Sequence, residues 1–472
     1  MNIVFVAILF ITALAAIEGT IVATAVPTIT TDLKGAEWMS WIYTAYLLTS
    51  AIATVIFGKL ADLFGRKKML LIGISFFTIG SLLCGIATSM PYLIISRAIQ
   101  GIGAGSILPI TLTMVSELFK QEKQRAKAQS YISMVWGVAG VVGPLIGGFL
   151  IDFTSWHFIF IMNVPFACIA FYIIAKSYHE VKQTTKVKID YIGAMLFTVG
   201  TIGFLLLLMN GSQSGQWVSG QQLLGYIVLL AVCTAFFFVE KNVSDPLIPF
   251  ALFKNRKYSF LLGLSFASMA LVMIFSAYIP VLGQSILGYS ATKAGLMLAP
   301  FSLMWTIGAM AIGSLIGKVK NAIFMLTGTI CLIVGAAMLI FISFDTSMYY
   351  LLTASSIAGL GMGLISPLII LSIQKVVPAN RLGIATGLNS FSNTFSQSIN
   401  ASVCGIIFNM LALNPLIILG YTNVNLAEKA YEIPVIDHLI SGIHGVFFTA
   451  TIYACMTCVL ISLFYKKRKT TL

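Results

Sequence analysis

The sequence predicts an all-α protein that crosses a lipid bilayer many times. Hydrophobic residues make up 58% of the 472 residues and charged residues only 9%, with a mean hydropathy of +0.97. A soluble domain carries about a quarter of its residues as charged side chains. Apolar runs long enough to cross the hydrocarbon core as helices recur along the whole chain. These observations exclude a soluble fold, which could not bury so much apolar surface.

Fourteen apolar runs are predicted to be transmembrane helices. The first run begins without a positively charged leader and is full length, which favours a retained helix over a cleaved signal peptide. The predicted spans are 3–26, 38–58, 69–88, 91–116, 127–151, 157–176, 190–210, 222–240, 258–280, 293–316, 323–343, 348–371, 383–409 and 441–464.

The basic residues predict the orientation of these spans. If the N-terminus lies inside, 24 of the 28 Lys and Arg residues fall on the inner side, and only Lys34, Lys293 and Lys429 fall outside. Such an asymmetry places both termini in the cytoplasm. The net charge of +13 therefore reflects topology, with inner-leaflet lipid rather than nucleic acid as the anionic neighbour.

Glu18 interrupts the first apolar run. A charged side chain in a lipid core costs about 3 kcal/mol even on mild scales, so it normally faces protein or water. A carboxyl group away from water can take up and release protons near neutral pH. Glu18 is therefore predicted to carry protons or bind cations, and the alternative is a neutral acid used in helix packing.

The stretch from Gly58 to Lys68 joins the second and third spans. Gly58 and Gly65 permit a tight turn, and Asp62 could cap a helix or pair with a base. The string GKLADLFGRKK resembles the inner-loop signature of the major facilitator superfamily, GxLaDrxGrkxxl, with Leu63 in place of a basic residue. The resemblance implies that Gly58, Asp62, Gly65 and Arg66 form an inner gate.

The fourth span holds Arg97, which needs an acceptor because it does not deprotonate. Its string Arg97-Ala98-Ile99-Gln100-Gly101 resembles the superfamily's proton-coupling motif. At 1.5 Å per residue, Arg97 lies about 9 Å and Glu18 about 12 Å from the outer ends of their helices. We therefore expect Glu18 and Arg97 to be coupled, directly or through water or Gln100. A structural Arg97 satisfied by carbonyl groups is the alternative.

The fifth span contains a run of small residues around a proline. Gly140, Gly143 and Gly147 share a face at helical spacing, and Pro144 bends the helix. The run resembles the motif gxxxGPxxGG of exporters in the superfamily. The following string from Trp156 to Pro165 is similar to one in the fourteen-helix drug:proton antiporters, a family that usually has Asp at the position of Glu18.

Polar and aromatic side chains mark a possible substrate cavity. The thirteenth span places Asn389, Asn393, Gln397 and Asn400 along one stripe, which should face either a cavity or another helix, and we favour the cavity. Aromatic walls for a flat lipophilic cation could come from five further residues, for which packing roles are equally open. These residues are Tyr43, Tyr46, Trp136, Tyr278 and Trp305.

The resemblance implies a major facilitator fold of two six-helix bundles plus two extra helices. The implied parts are a first bundle at 1–180, two additional helices at 188–240, a cytoplasmic linker at 241–257 and a second bundle at 258–472, with an outer loop at 410–440. It also implies a monomeric exporter of hydrophobic and cationic drugs in the bacterial cytoplasmic membrane. The proton gradient would drive export without a cofactor or metal, with Glu18, Arg97 and Gln100 as the coupling residues.

Other functions are weighed against this one. An exporter of one compound remains open, namely tetracycline with cation exchange, an amino acid, a siderophore or a fatty acid. A primary ATP pump is disfavoured because the sequence has no GxxxxGK[ST] phosphate loop. A receptor or scaffold is disfavoured by an acid and a base buried at matched depth.

Overall fold

The computed structural model describes most of the chain. The described residues are 3–119, 122–178, 190–214, 218–243, 246, 248, 250–315, 319–377, 382–413 and 433–466. The predicted outer loop at 410–440 lies largely outside them, as does part of the predicted linker at 241–257.

The described residues are almost wholly helical, which confirms the predicted all-α class. The first seven helices are α1 (Ile3–Asp32), α2 (Met39–Phe64), α3 (Arg66–Gly85), α4 (Met90–Leu118), α5 (Glu122–Phe153), α6 (His157–Ile161) and α7 (Asn163–Ser177). The next are α8 (Tyr191–Ser214), α9 (Gly220–Asn242), α10 (Arg256–Ser285), α11 (Ala291–Leu315), α12 (Asn321–Met338), α13 (Met348–Val376), α14 (Leu382–Phe408) and α15 (Ile433–Lys466).

A helix lies over each of the fourteen predicted spans. Within the described residues, 12 helices are long and apolar enough to cross a membrane, and Val138–Phe153 and Tyr191–Phe204 are shorter apolar helices. The chain is therefore a multi-pass membrane protein, while the count of fourteen spans stays a prediction.

The turn between α2 and α3 differs from the prediction. Gly58 lies inside α2, which continues to Phe64, so Gly58 does not form the turn. Gly65 alone joins the two helices, with φ at 94°. This conformation is favourable for glycine and costly for other residues, which explains why the chain turns there. The prediction ended the helix too early because it read glycine as a helix breaker.

The sixth predicted span is broken into two helices. The short α6 ends at Ile161 and α7 begins at Asn163, with Met162 between them in a helical conformation. Pro165 follows in the first turn of α7, where a proline is tolerated because its missing N–H would have no intrahelical partner. The break places Asn163 at the start of α7, on the one face of that helix that is buried.

We call α1–α7 the N-terminal half and α10–α15 the C-terminal half. Two large apolar clusters fill these regions, and the larger one extends from the C-terminal half onto α1 and α2. The halves meet where α5 packs on α11 and α2 packs on α14. Helices α8 and α9 pack chiefly on each other, and α8 also contacts α2 and α14.

Most of the hydrogen bonds between the halves lie toward the predicted outer ends of the helices. Asp152 at the end of α5 accepts hydrogen bonds from the backbone N–H groups of Ala291 (3.2 Å) and Thr292 (3.1 Å) at the start of α11. Asn409 donates through Nδ2 to the backbone oxygen of Glu37 at 3.1 Å. In the described residues, therefore, the two halves are joined mainly at their predicted outer side.

Candidate functional site

Glu18 is buried at the centre of the N-terminal half. Its carboxyl group is fully excluded from solvent. Oε1 forms an ion pair with Nη1 of Arg97, and Oε2 accepts a hydrogen bond from Nδ2 of Asn163 at 2.6 Å. Each carboxylate oxygen therefore has its own partner, from α4 on one side and from α7 on the other.

Arg97 is held by further contacts from its own helix and from α2. Its Nε donates to the backbone oxygen of Ile42 at 3.1 Å, and its Nη1 donates to Oε1 of Gln100 at 2.5 Å. The ring of Tyr46 lies under the guanidinium, with Cζ 4.2 Å from the ring centroid. Gln100 in turn donates to Oγ of Ser81 at 2.8 Å. The guanidinium geometry is therefore fixed by α2, α3 and α4 together.

The buried pair is electrostatically self-contained. Moving one charge alone out of water costs several kcal/mol, and a close partner with further hydrogen bonds offsets that cost. Here the positive and negative groups touch, and amide and carbonyl groups add further hydrogen bonds. The structure thus brings Glu18, Arg97 and Gln100 together in one network. Their roles in transport stay predictions.

The glycine face of α5 contacts both halves. Gly143 and Gly147 approach Thr20 and Thr24 of α1, so a side chain at either glycine would collide with α1. Gly140 faces Ser302 of α11, whose Oγ donates to the Gly140 backbone oxygen at 2.9 Å. Pro144 has no N–H to offer to that oxygen, which lies four residues before it. Ser302 therefore replaces a missing intrahelical hydrogen bond from across the interface.

The inner-loop residues lie at the junction of α2 and α3, at the end of α2 opposite to Ile42 of the buried network. Gly58 lies in a helix, and Gly65 forms the turn. Arg66 is the first residue of α3 and is buried. The side chain of Asp62 lies outside the described part of the structure, so its predicted gating role stays a prediction.

Two tyrosines meet across the halves in a small recess. The hydroxyl of Tyr43 is buried and has no hydrogen-bond partner among the described residues. The recess is lined by Met39, Ser40, Tyr43, Met273, Ala277, Tyr278, Val281 and Ala401. It is mostly apolar, it joins α2 to α10 and α14, and it lies one helical turn from the Tyr46–Arg97 contact.

The other predicted cavity residues are spread more widely. Trp305 packs edge-on against Phe301 in the C-terminal half, with centroids 5.9 Å apart. Trp136 on α5 is 40% exposed and outside the buried network. The structure therefore does not gather all five aromatic residues at one place.

The polar stripe on α14 makes contacts of the helix-packing kind. Ser265 on α10 donates to Oδ1 of Asn393 at 2.6 Å. Asn400 is fully buried and donates to the Ser396 backbone oxygen of its own helix at 2.8 Å. Asn389 is buried, its Oδ1 has no partner in the part of the chain that the structure describes, and Gln397 is half-buried. The contact with α10 fits the less favoured of the two interpretations, and cavity lining by Asn389, Asn393 and Gln397 stays a prediction.

Sequence reasoning assigned no role to Asn163, Ser302 or Asp152. Asn163 is the only amide side chain in the apolar span 157–176, and this isolation was the one feature of the sequence that could have indicated a buried polar partner. Ser302 and Asp152 had no such signal, because isolated serines and helix-end acids are common. Their importance depends on which helices meet, which a single sequence does not reveal.

Comparison with known proteins defines the class. Residues 8–401 match the model of the Major Facilitator Superfamily, and the chain therefore belongs to that superfamily. Among solved structures, a bacterial homolog of the human lysosomal transporter Spinster, in an inward-facing and occupied conformation, superimposes with a TM-score of 0.68. At 12% identity, over 98% of this chain and 96% of that one, it shows the shared fold alone.

Several curated relatives are considerably more similar in sequence. The multidrug transporter protein MdtP of Bacillus subtilis is 34% identical over 84% of this chain and 73% of its own length. Multidrug resistance protein 3 of Bacillus subtilis is 35% identical over 85% of this chain and 78% of its own. The multidrug efflux pump SdrM of Staphylococcus aureus is 31% identical over 85% and 89%.

Proposed function

We propose that the chain is a proton-coupled multidrug exporter of the fourteen-helix drug:proton antiporter family. It would expel hydrophobic and cationic compounds by alternating access, driven by inward proton flow. The names of its relatives support export of drugs. The observation that carries proton coupling is the fully buried Glu18, paired with Arg97 and Asn163.

The chemistry of the pair supports an exchange of proton and drug. Ionised Glu18 is satisfied by Arg97 and Asn163 in the structure. Proton uptake removes the charge that holds Arg97, while the guanidinium stays charged and must rely on Ile42 and Gln100. A cationic drug would likewise compete with Arg97 for an ionised Glu18. Proton and drug therefore favour different arrangements of α1 and α4.

The remaining parts of the proposal concern architecture. The protein would act as a monomer in a bacterial cytoplasmic membrane, with both termini inside. The regions 1–180 and 258–472 would rock against each other around the α5–α11 and α2–α14 contacts. Asp62, Gly65 and Arg66 would close the inner side, and the glycines around Pro144 would permit the movement.

The decisive experiment is dye transport by the purified protein in proteoliposomes. An imposed pH gradient should drive ethidium movement by the wild type, and a protonophore should abolish it. Glu18→Gln should reduce gradient-driven transport to the level of protein-free liposomes, since the amide cannot carry the proton. Glu37→Gln, which changes an exposed acid at the predicted outer surface, should transport like the wild type.

Two results would contradict the proposal in different ways. Gradient-driven transport that persists in Glu18→Gln would remove Glu18 as the proton carrier. Wild-type protein that moves no dye, yet exchanges tetracycline, an amino acid, a siderophore or a fatty acid for protons or cations, would establish a specific exporter instead.

A further inference from the structure

Asn163 is the second partner of the buried carboxyl group. It is the first residue of α7, it is 1% exposed, and its Nδ2 lies 2.6 Å from Oε2 of Glu18. Arg97 contacts the other oxygen. The break between α6 and α7 thus delivers an amide to the side of Glu18 that the arginine leaves open.

The two partners differ in what they offer to the two states of Glu18. A guanidinium group only donates hydrogen bonds, so it suits a carboxylate and cannot accept from a carboxylic acid. A primary amide carries both donors and an acceptor, and a rotation of the side chain exchanges them. Asn163 can therefore bond to Glu18 whether or not the carboxyl group holds a proton.

Few ionisable groups of the described residues face this carboxyl group. They are Arg97 on α4, Tyr46 on α2 and Cys84 on α3. Among the described residues of α5, α10 and α11, which also pack against α1, no ionisable side chain acts on it. The proton affinity of Glu18 thus depends on a short list of neighbours, in which Asn163 is the one uncharged group bonded to Oε2.

We propose that Asn163 is a positioning residue that sets the pH at which Glu18 releases its proton and keeps the carboxyl group oriented in both states. The inference rests on the proposed function, in which Glu18 carries the transported proton. A donor to a carboxylate stabilises the ionised form, so its removal should make Glu18 hold its proton to higher pH.

The test is infrared spectroscopy of the purified full-length protein in liposomes. The infrared absorbance of the carbonyl band of protonated carboxyl groups is followed as a function of pH. The part of this absorbance that is missing in Glu18→Gln belongs to Glu18. In Asn163→Leu, which has similar volume but no amide, the midpoint of that part should move up by about one pH unit, a tenfold gain in proton affinity. Asn163→Gln keeps the amide and should lie closer to the wild type.

Ser81→Ala is the matched control. Ser81 is buried in the same network but bonds to Gln100 and not to Glu18. It should therefore leave the midpoint within a few tenths of a unit of the wild type. Asn163→Ser, which shortens the side chain and removes the amide, should move the midpoint in the same direction as Asn163→Leu and serves if the leucine variant does not fold.

The outcomes separate this inference from the proposed function. An unchanged midpoint in the folded leucine or serine variant, or equal shifts in the leucine and glutamine variants, would overturn the role of Asn163 alone. A titrating band that survives intact in Glu18→Gln would overturn the proton-carrying role of Glu18, and the inference with it. An upward shift in Asn163→Leu that is reduced in Asn163→Gln would support both.

Discussion

At the scale of single residues, the buried charges form the most constrained feature of this transporter. The neighbours of Glu18 and Arg97 satisfy the state in which both side chains are charged. Loss of either member leaves the other as an uncompensated charge in a dry environment, which costs more than the pair contributes. Removal of both leaves only polar groups that can bond among themselves.

We therefore expect strong coupling between substitutions at the two positions. Glu18→Gln and Arg97→Gln should each lower the unfolding temperature, and the double variant should be more stable than the sum of the single effects predicts. The coupling free energy should be about 1–3 kcal/mol, as found for residues within one buried network. Thermal unfolding of the four purified proteins in one detergent measures it, and strictly additive effects would show that the two charges do not interact.

Arg97→Lys offers a second test at this scale. A lysine keeps the charge but has one nitrogen, so it cannot bond to Ile42, Glu18 and Gln100 in the fork geometry of a guanidinium. We expect this variant to keep most of the stability and to lose most of the pH-gradient-driven transport. Transport equal to the wild type would show that charge alone is sufficient at this position.

The sequence predicted this pair because charged residues inside apolar spans have few possible partners. Depth along the helices was enough to match Glu18 with Arg97. The sequence did not predict that Asn163 contacts Glu18, because a neutral amide within an apolar span can be satisfied by many neighbours. It also did not predict Tyr46 as the ring beneath Arg97, since tyrosines are common in such helices.

At the scale of helices, α5 is the element that links the halves. Pro144 leaves the Gly140 carbonyl without its intrahelical donor, and Ser302 of α11 supplies one. Thr20 of α1 donates to the neighbouring carbonyl of Ala139 at 3.1 Å. The backbone of α5 around Pro144 therefore accepts hydrogen bonds from hydroxyl groups on both sides, one from each half.

Ser302→Ala should loosen the interface between α5 and α11. The lost hydrogen bond is worth about 1 kcal/mol, which corresponds to about a fivefold change in the population of separated halves. Spin labels at Glu37→Cys and Lys293→Cys, in a background without other exposed cysteines, would report a larger share of long distances. Ser302→Thr keeps the hydroxyl group and should resemble the wild type, and identical distance distributions in all three proteins would refute the expectation.

Helix positions were largely predictable, whereas helix ends and partners were not. Apolar length sets where a helix must lie in a membrane, so each predicted span is occupied by a helix. Gly58 misled the prediction because a glycine within a packed helix is indistinguishable in sequence from one in a turn. The break at Met162 carries no local signal except the following Pro165.

At the scale of the whole molecule, the predicted outer side is closed by polar contacts. Asp152 caps the first turn of α11 from the opposite half through the N–H groups of Ala291 and Thr292 and the hydroxyl of Thr292. A carboxylate at a helix N-terminus is favoured by the free N–H groups and the helix dipole. An outward-open state must break these bonds.

Asp152→Ala should therefore favour opening on that side. Loss of a helix cap costs about 1 kcal/mol, and here it is lost only from the closed state. A cysteine at Ser40, which packs against Gly405 between α2 and α14, should react faster with a membrane-impermeant thiol reagent in this variant. Glu37→Ala is the control at a nearby exposed acid, and equal reaction rates in both variants would argue against a role for Asp152 in closure.

The overall arrangement of helices could not be derived from hydrophobic pattern alone. Helices that face lipid and helices that face protein are both apolar, so the sequence does not mark which sides meet. The polar stripe on α14 illustrates the problem, because contact with α10 and exposure to a cavity require the same residues. Tertiary contacts, and not composition, decide between them.

The two seams between the halves are unequally shielded from lipid. Phe197 on α8 packs at a tilt against Phe391 on α14, with ring centroids 5.2 Å apart, and also packs beside Leu48 and Ile52 on α2. This helix thus lies along the α2–α14 seam, whereas in the described part of the chain neither α8 nor α9 covers the α5–α11 seam. A molecule dissolved in the bilayer would consequently be blocked by α8 at the α2–α14 seam but not at the α5–α11 seam. Lateral entry from the lipid should therefore occur on one side only.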